Sequence, residues 1–131
     1  MKKKKNKYEI LDSKHYNYLN NVHFDENIKE DKDIIDMYKE NFSKTKKGFE
    51  DLKFPNEDID SIFKILNGIL YLGNIKFIEE LKDNKQISKI DNSSFIYLEK
   101  ASKFLGLDQN NLKQILTEKI KKYIHLLAIQ Y

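Results

Sequence analysis

Three histidines, adjacent carboxylates such as Glu57-Asp58 and Glu79-Glu80, four glycines and no cysteine make up the potentially reactive inventory of this chain. His15, His23 and His125 are far apart, without the His-x-x-x-His or Glu-containing spacing that brings metal ligands together. They read as surface or partly buried side chains. Glu57-Asp58 and Glu79-Glu80 could serve acid/base chemistry only if they faced a common cleft. As neighbours in sequence they read instead as helix-start charge and solvated charge. Gly48, Gly68, Gly73 and Gly106 are too dispersed for a G-x-x-x-x-G-K-[ST] phosphate loop. The lack of Cys removes disulfides, thiolate nucleophiles and cysteine-based zinc sites. No Ser/His/Asp constellation is identifiable, so no catalytic, cofactor-binding or metal residue is expected.

The elements that would position such groups are mostly helices. Ile59, Ile62, Phe63, Leu66, Ile69 and Leu70 recur at three- and four-residue steps, which line one side of a helix over about 56–72. Glu57, Asp58 and Asp60 near its start suit the positive end of the helix dipole. Gly73-Asn74 is expected to close it in left-handed backbone. An earlier helix over about 33–50, capped by Asp31 or Asp33, carries Ile34, Tyr38, Phe42, Thr45 and Phe49 as its stripe. Residues 8–31 read as irregular, with at most a short helical turn.

After Asn74 the period changes to that of a short strand through Ile75, Phe77 and Ile78. Residues 79–86 then read as a surface loop, with Ile87 and Ile90 in a partner strand. A helix follows, capped by Asp91, Asn92 or Ser93, with Phe95, Leu98, Ala101, Ser102 and Leu105 on one side and Gly106 ending it. Asp108 opens the last helix, and Leu107 with Leu112 has the spacing of a hydrophobic staple. The aromatic residues follow helical spacing, so core packing outweighs a base-stacking role.

The chain has 131 residues, 40% of them apolar, and sixteen are Phe or Tyr, enough for one ordinary core. Its net charge of +3 is concentrated at one end. Lys2, Lys3, Lys4, Lys5 and Lys7 form a basic tail over 1–7, whereas residues 8–131 carry 19 lysines against 21 acidic residues. A nucleic-acid binder keeps positive charge on its folded part, and Arg, which favours bidentate contacts, is absent. Nucleic acid is therefore not an expected partner. No apolar run is long enough for a membrane span, and no apolar stretch follows the basic start to make a signal peptide. The uncharged run Tyr123–Tyr131 would be an aggregation hazard if left exposed.

Several of these segments together are similar to myosin motor heads. The string Ser61–Asn74 and the Ile75-Lys76-Phe77 after it resemble the family's IF-x-IL-x-x-IL-x-LGN-I-x-F stretch. Tyr16-Asn17-Tyr18-Leu19-Asn20 resembles its aromatic-x-Tyr-Leu-Asn segment. Phe42, Thr45, Phe49, Leu52 and Phe54 fall at the offsets of one of its helices. Ala101, Phe104-Leu105-Gly106-Leu107-Asp108, Leu112 and Leu116-Thr117 match a further block. The likeness covers about Ser13 to Thr117. It departs at Tyr71, where the family usually has His, at Lys53, where a helix-ending Gly is usual, and at Pro55, where Ser or Thr caps the next helix. A left-handed Lys53 would cost roughly 1 kcal/mol; Pro55 is tolerated in a first turn.

The resemblance implies a mainly α fold of about four helices with a short β element near 75–90, part of the P-loop myosin motor fold. It implies a partial motor domain over 8–131, forming a single helical unit of the upper fifty-kilodalton subdomain. The complete motor would be an ATP-driven actin translocase using MgATP, cytoplasmic and associated with the cytoskeleton. Its partners would be the actin filament and the rest of the head. This chain lacks the phosphate loop and both switch motifs; Asn92-Ser93-Ser94 lacks the Arg of the first switch and is better explained as a helix cap. Alone it is expected to neither bind nor hydrolyse ATP and to be marginally stable or partly molten. Lys121 and Lys122 lie where the family's actin-contacting loop begins, but residues 120–131 depart from that pattern. The alternatives are a small all-α cytosolic interaction module without enzymatic activity, or a truncated gene product with no independent role.

Overall fold

The computed structural model describes residues 8–19, 24–25 and 27–118. Its elements are a 3-10 turn at Ser13–His15, α1 at Lys29–Asp51, α2 at Asn56–Leu72, β1 at Phe77–Lys82 and β2 at Lys85–Ile90. A 3-10 turn at Asn92–Ser94 then leads into α3 at Phe95–Leu105 and α4 at Gln109–Thr117. The chain divides into two compact units, Met1–Asn67 and Gly68–Tyr131. The helical fold with a small antiparallel sheet is the one expected from sequence.

In the first unit α1 begins four residues before the expected start. Asp31 does not cap it; it lies in the first turn, where its Oδ2 accepts from the Asp25 N–H at 2.8 Å. The helix stop is well made. The Phe54 N–H donates to the Phe49 carbonyl and the Lys53 N–H to the Glu50 carbonyl, both at 2.9 Å. This pair of bonds closes the helix with Lys53 in left-handed backbone at φ 57°. The rings of Phe49 and Phe54, 5.3 Å apart and edge-on, supply the apolar contact that accompanies such a stop. Phe63 of α2 receives Phe42 at 5.6 Å and Phe49 at 6.4 Å. The expected stripe of α1 is only partly covered, since no residue of this helix is fully buried.

The second unit is built around Ile90, Leu98 and Ala101, all inaccessible, with Tyr71, Ile75, Phe104 and Leu112 around them. Tyr71 stacks on Phe104 at 5.9 Å with the rings nearly parallel. Gly68 has no side chain because there is no room for one: a Cβ there would lie 2.7 Å from Leu105 Cγ. The expected left-handed closure at Gly73-Asn74 is absent, as neither residue has positive φ. Instead Asn74 and Ile75 donate to the carbonyls of Tyr71 and Leu72, tightening the end of α2 into a 3-10 turn. Gly106, at φ 68°, does end α3, and Asp108 Oδ1 caps α4 by accepting from the Asn111 N–H at 2.9 Å.

The expected loop over 79–86 is a hairpin. β1 pairs with β2 from Phe77↔Ile90 to Lys82↔Lys85. Asp83 and Asn84 both take positive φ, 50° and 59°, as a two-residue turn matched to strand twist requires. Every residue of β1 is exposed, so alternation of apolar and polar residues had no core to report.

Two substitutions test these assignments. Lys53→Gly should raise stability by roughly 0.5–1 kcal/mol by removing left-handed strain, read as a higher urea midpoint at unchanged slope. Gly68→Ala should lower it by roughly 1 kcal/mol, because crowding of Leu105 outweighs the gain in helix propensity.

Candidate functional site

The residues with chemical potential are not brought together. Glu79 and Glu80, as successive strand residues, point to opposite faces of the hairpin. Glu57 and Asp58 are exposed in the first turn of α2, and His15 is exposed in the first 3-10 turn. His23, His125, Lys121 and Lys122 lie outside the described residues. Among the described residues, no group of three His, Cys, Asp or Glu could hold a metal ion, and no helix is long and apolar enough to cross a membrane. Asn92-Ser93-Ser94 acts structurally. Asp91 caps it by accepting from the Ser93 hydroxyl and the Ser93 N–H, and these bonds, the hydroxyl's first, hold the Asp91 carboxyl below its ordinary range. Ser94 is buried and its Oγ accepts from the Lys76 N–H at 2.9 Å.

What the fold does organise is α2. The buried positions along it are Asn67, Gly68 and Tyr71. Ile59, Ile62, Phe63 and Leu70, from the expected stripe, are half-buried, whereas Leu66 and Ile69 are 52% and 43% exposed. Together with Ile65, 48% exposed, they form an outward apolar ridge. The inward ridge is thus turned by about one residue from the expected one.

The cause in the first unit is a polar network. Asn67 is 2% exposed; its Nδ2 donates to the Tyr8 carbonyl and its Oδ1 accepts from the Tyr16 hydroxyl at 3.2 Å. The Tyr16 hydroxyl also accepts from the Leu11 N–H at 3.0 Å. Tyr8 donates its own hydroxyl to Asp60 Oδ1 at 2.7 Å, while Lys64 Nζ lies 2.8 Å from Asp60 Oδ2. The hydrogen bond to Asp60, then burial, push the Tyr8 phenol above its usual value; Lys64 opposes this. None of the residues in this network was singled out as functional from sequence. The one available signal was polar Asn67-Gly68 interrupting an otherwise apolar helix run.

A model of the family described as "Myosin head (motor domain)" matches residues 1–128. The chain belongs to the myosin head family. It is 34% identical over 94 residues to Myosin-5 of Candida glabrata, covering 71% of this chain and 7% of that protein. It is 30% identical over 117 residues to Myosin-8 of Arabidopsis thaliana, covering 87% and 7%. Chitin synthase 8 of Mycosarcoma maydis is similar too, 31% identical over 80 residues, covering 61% and 4%. The chain therefore spans only about 7% of the length of the myosins it matches. In this myosin head segment the described feature of α2 is an apolar ridge beside a buried amide.

The raised Tyr8 value has a definite sign. Folded protein keeps the phenol proton to higher pH than unfolded chain does, so this contribution is complete below about pH 10 and is lost as pH climbs through the folded value. Tyr8→Phe should flatten that alkaline decline, measured as the denaturation midpoint across roughly pH 8–11.

Proposed function

We propose that this myosin head segment is a structural part of an actin-based, ATP-driven motor, a helical block on the actin-binding-cleft side. It holds no phosphate loop or switch motif of its own, so nucleotide chemistry belongs to other parts of the motor. The observation that carries the reading is the family match over 1–128 combined with the outward ridge Ile65, Leu66 and Ile69. An exposed apolar row on a regular helix is the form expected of a surface that packs against a neighbour. Cleft closure is then passed along by helices that shift between discrete packings. The partners on this reading are the actin filament and the remaining head, and the location is the cytoplasmic actin cytoskeleton.

Sequencing the full-length transcript tests the proposal most directly. A phosphate loop and first switch upstream, and a second switch downstream, are expected; in-frame stops without such motifs would overturn it. Leu66→Ser offers a second measurement. It should change the stability of the 131-residue chain by less than about 0.5 kcal/mol, because an exposed side chain is replaced. In the assembled head the same change should cost roughly 2–5 kcal/mol, because there the side chain is buried.

A further inference from the structure

Asn67 is the only asparagine of the chain followed by glycine. The fold holds each member of that pair in place for its own reason. The Asn67 amide is 2% exposed and meets the Tyr8 carbonyl and the Tyr16 hydroxyl. Gly68 lies where a Cβ would come within 2.7 Å of Leu105 Cγ. Packing thus sets side by side a side-chain amide and the backbone nitrogen best able to attack it once the chain is unfolded. Glycine has no Cβ to obstruct its own nitrogen and reaches unusual backbone angles freely. The motor reading makes no use of this reactivity.

We infer that Asn67 is a modification site, a spontaneous deamidation centre that stays closed only while α2 is folded. In the reaction the Gly68 nitrogen loses its proton and attacks Asn67 Cγ. The new N–Cγ bond closes a five-membered imide, the Cγ–Nδ2 bond breaks, and Nδ2 takes up a proton and leaves as ammonia. Water then opens either carbonyl of the imide, giving aspartate or isoaspartate, with no oxidant or other co-reactant. Folded α2 blocks the first step. Helical ψ, about −42°, holds the Gly68 nitrogen out of the nearly flat plane that the imide would occupy. As an interior helix residue, Gly68 commits its N–H to a main-chain hydrogen bond. Asn67 is screened from water, and its amide nitrogen is held by the Tyr8 carbonyl. Conversion is also one-way. A carboxylate at position 67 turns an acceptor toward the Tyr8 carbonyl where a donor stood, and isoaspartate adds a methylene to the main chain inside the helix. A chain that has lingered open therefore refolds without its central anchor.

Peptide-level mass spectrometry of the 131-residue chain, incubated near neutral pH in buffer and in about 8 M urea, tests this. Conversion at Asn67 should be at least about tenfold faster in urea, since attack on a closed site tracks the fraction of open molecules. Asn92, exposed in its turn and followed by Ser93, is the internal standard and should show a smaller effect of urea. Gly68→Ala, read in urea where packing is already lost, should slow conversion at Asn67 at least about tenfold, because the added Cβ hinders attack. Chain converted in urea and returned to buffer should unfold at a lower urea concentration than unconverted chain handled alike. A urea effect at Asn67 no larger than at Asn92, undiminished conversion in Gly68→Ala, or an unchanged midpoint after conversion would each overturn the inference.

Discussion

A single buried amide governs much of this molecule. Asn67 sits in the middle of α2 with almost no access to solvent, and a side-chain amide in that position must find both a donor and an acceptor. Tyr16 supplies the hydroxyl and Tyr8 the carbonyl, from positions 51 and 59 residues earlier in the chain. Satisfying Asn67 therefore fixes the irregular N-terminal segment to the helix. It also decides the rotation of α2 about its axis. With Asn67 facing inward, Leu66 lies toward the outer side and is about half exposed despite its hydrophobicity.

That constraint marks the boundary of what could be read in advance. The span of α2 follows from its apolar spacing and acidic first turn, and the stops at Gly106 and the cap at Asp108 follow from local backbone chemistry. Lys53 in left-handed backbone could likewise be anticipated, because the family usually has Gly there. The face that α2 buries could not be anticipated. Periodicity shows that Leu66 and Ile69 share a side with Ile62, but only a long-range hydrogen bond reveals that Asn67 takes priority. The β element was expected, but its extension through 79–86 escaped for a different reason. Its first strand is exposed on both faces, so polar and apolar residues are mixed without the alternation that a buried face imposes, and the turn is Asp-Asn rather than the more telling Asn-Gly.

Among the described residues, those whose types suggested chemistry from sequence are separated or serve as caps. Asp91 and Ser94 illustrate the point. Each is a residue type found in active sites, yet Asp91 caps a turn and Ser94 ties the start of the hairpin to α3 through the Lys76 amide.

The hairpin's short turn carries a consequence for how this segment can change over generations. Strand faces alternate residue by residue, and Ile90, opposite Phe77, is wholly enclosed by the second unit. A length change between Lys82 and Lys85 that slid the pairing by one would present a polar neighbour, Lys89, to the space that Ile90 fills. Length changes at this tip are therefore compatible with the fold only where they keep Phe77 facing Ile90.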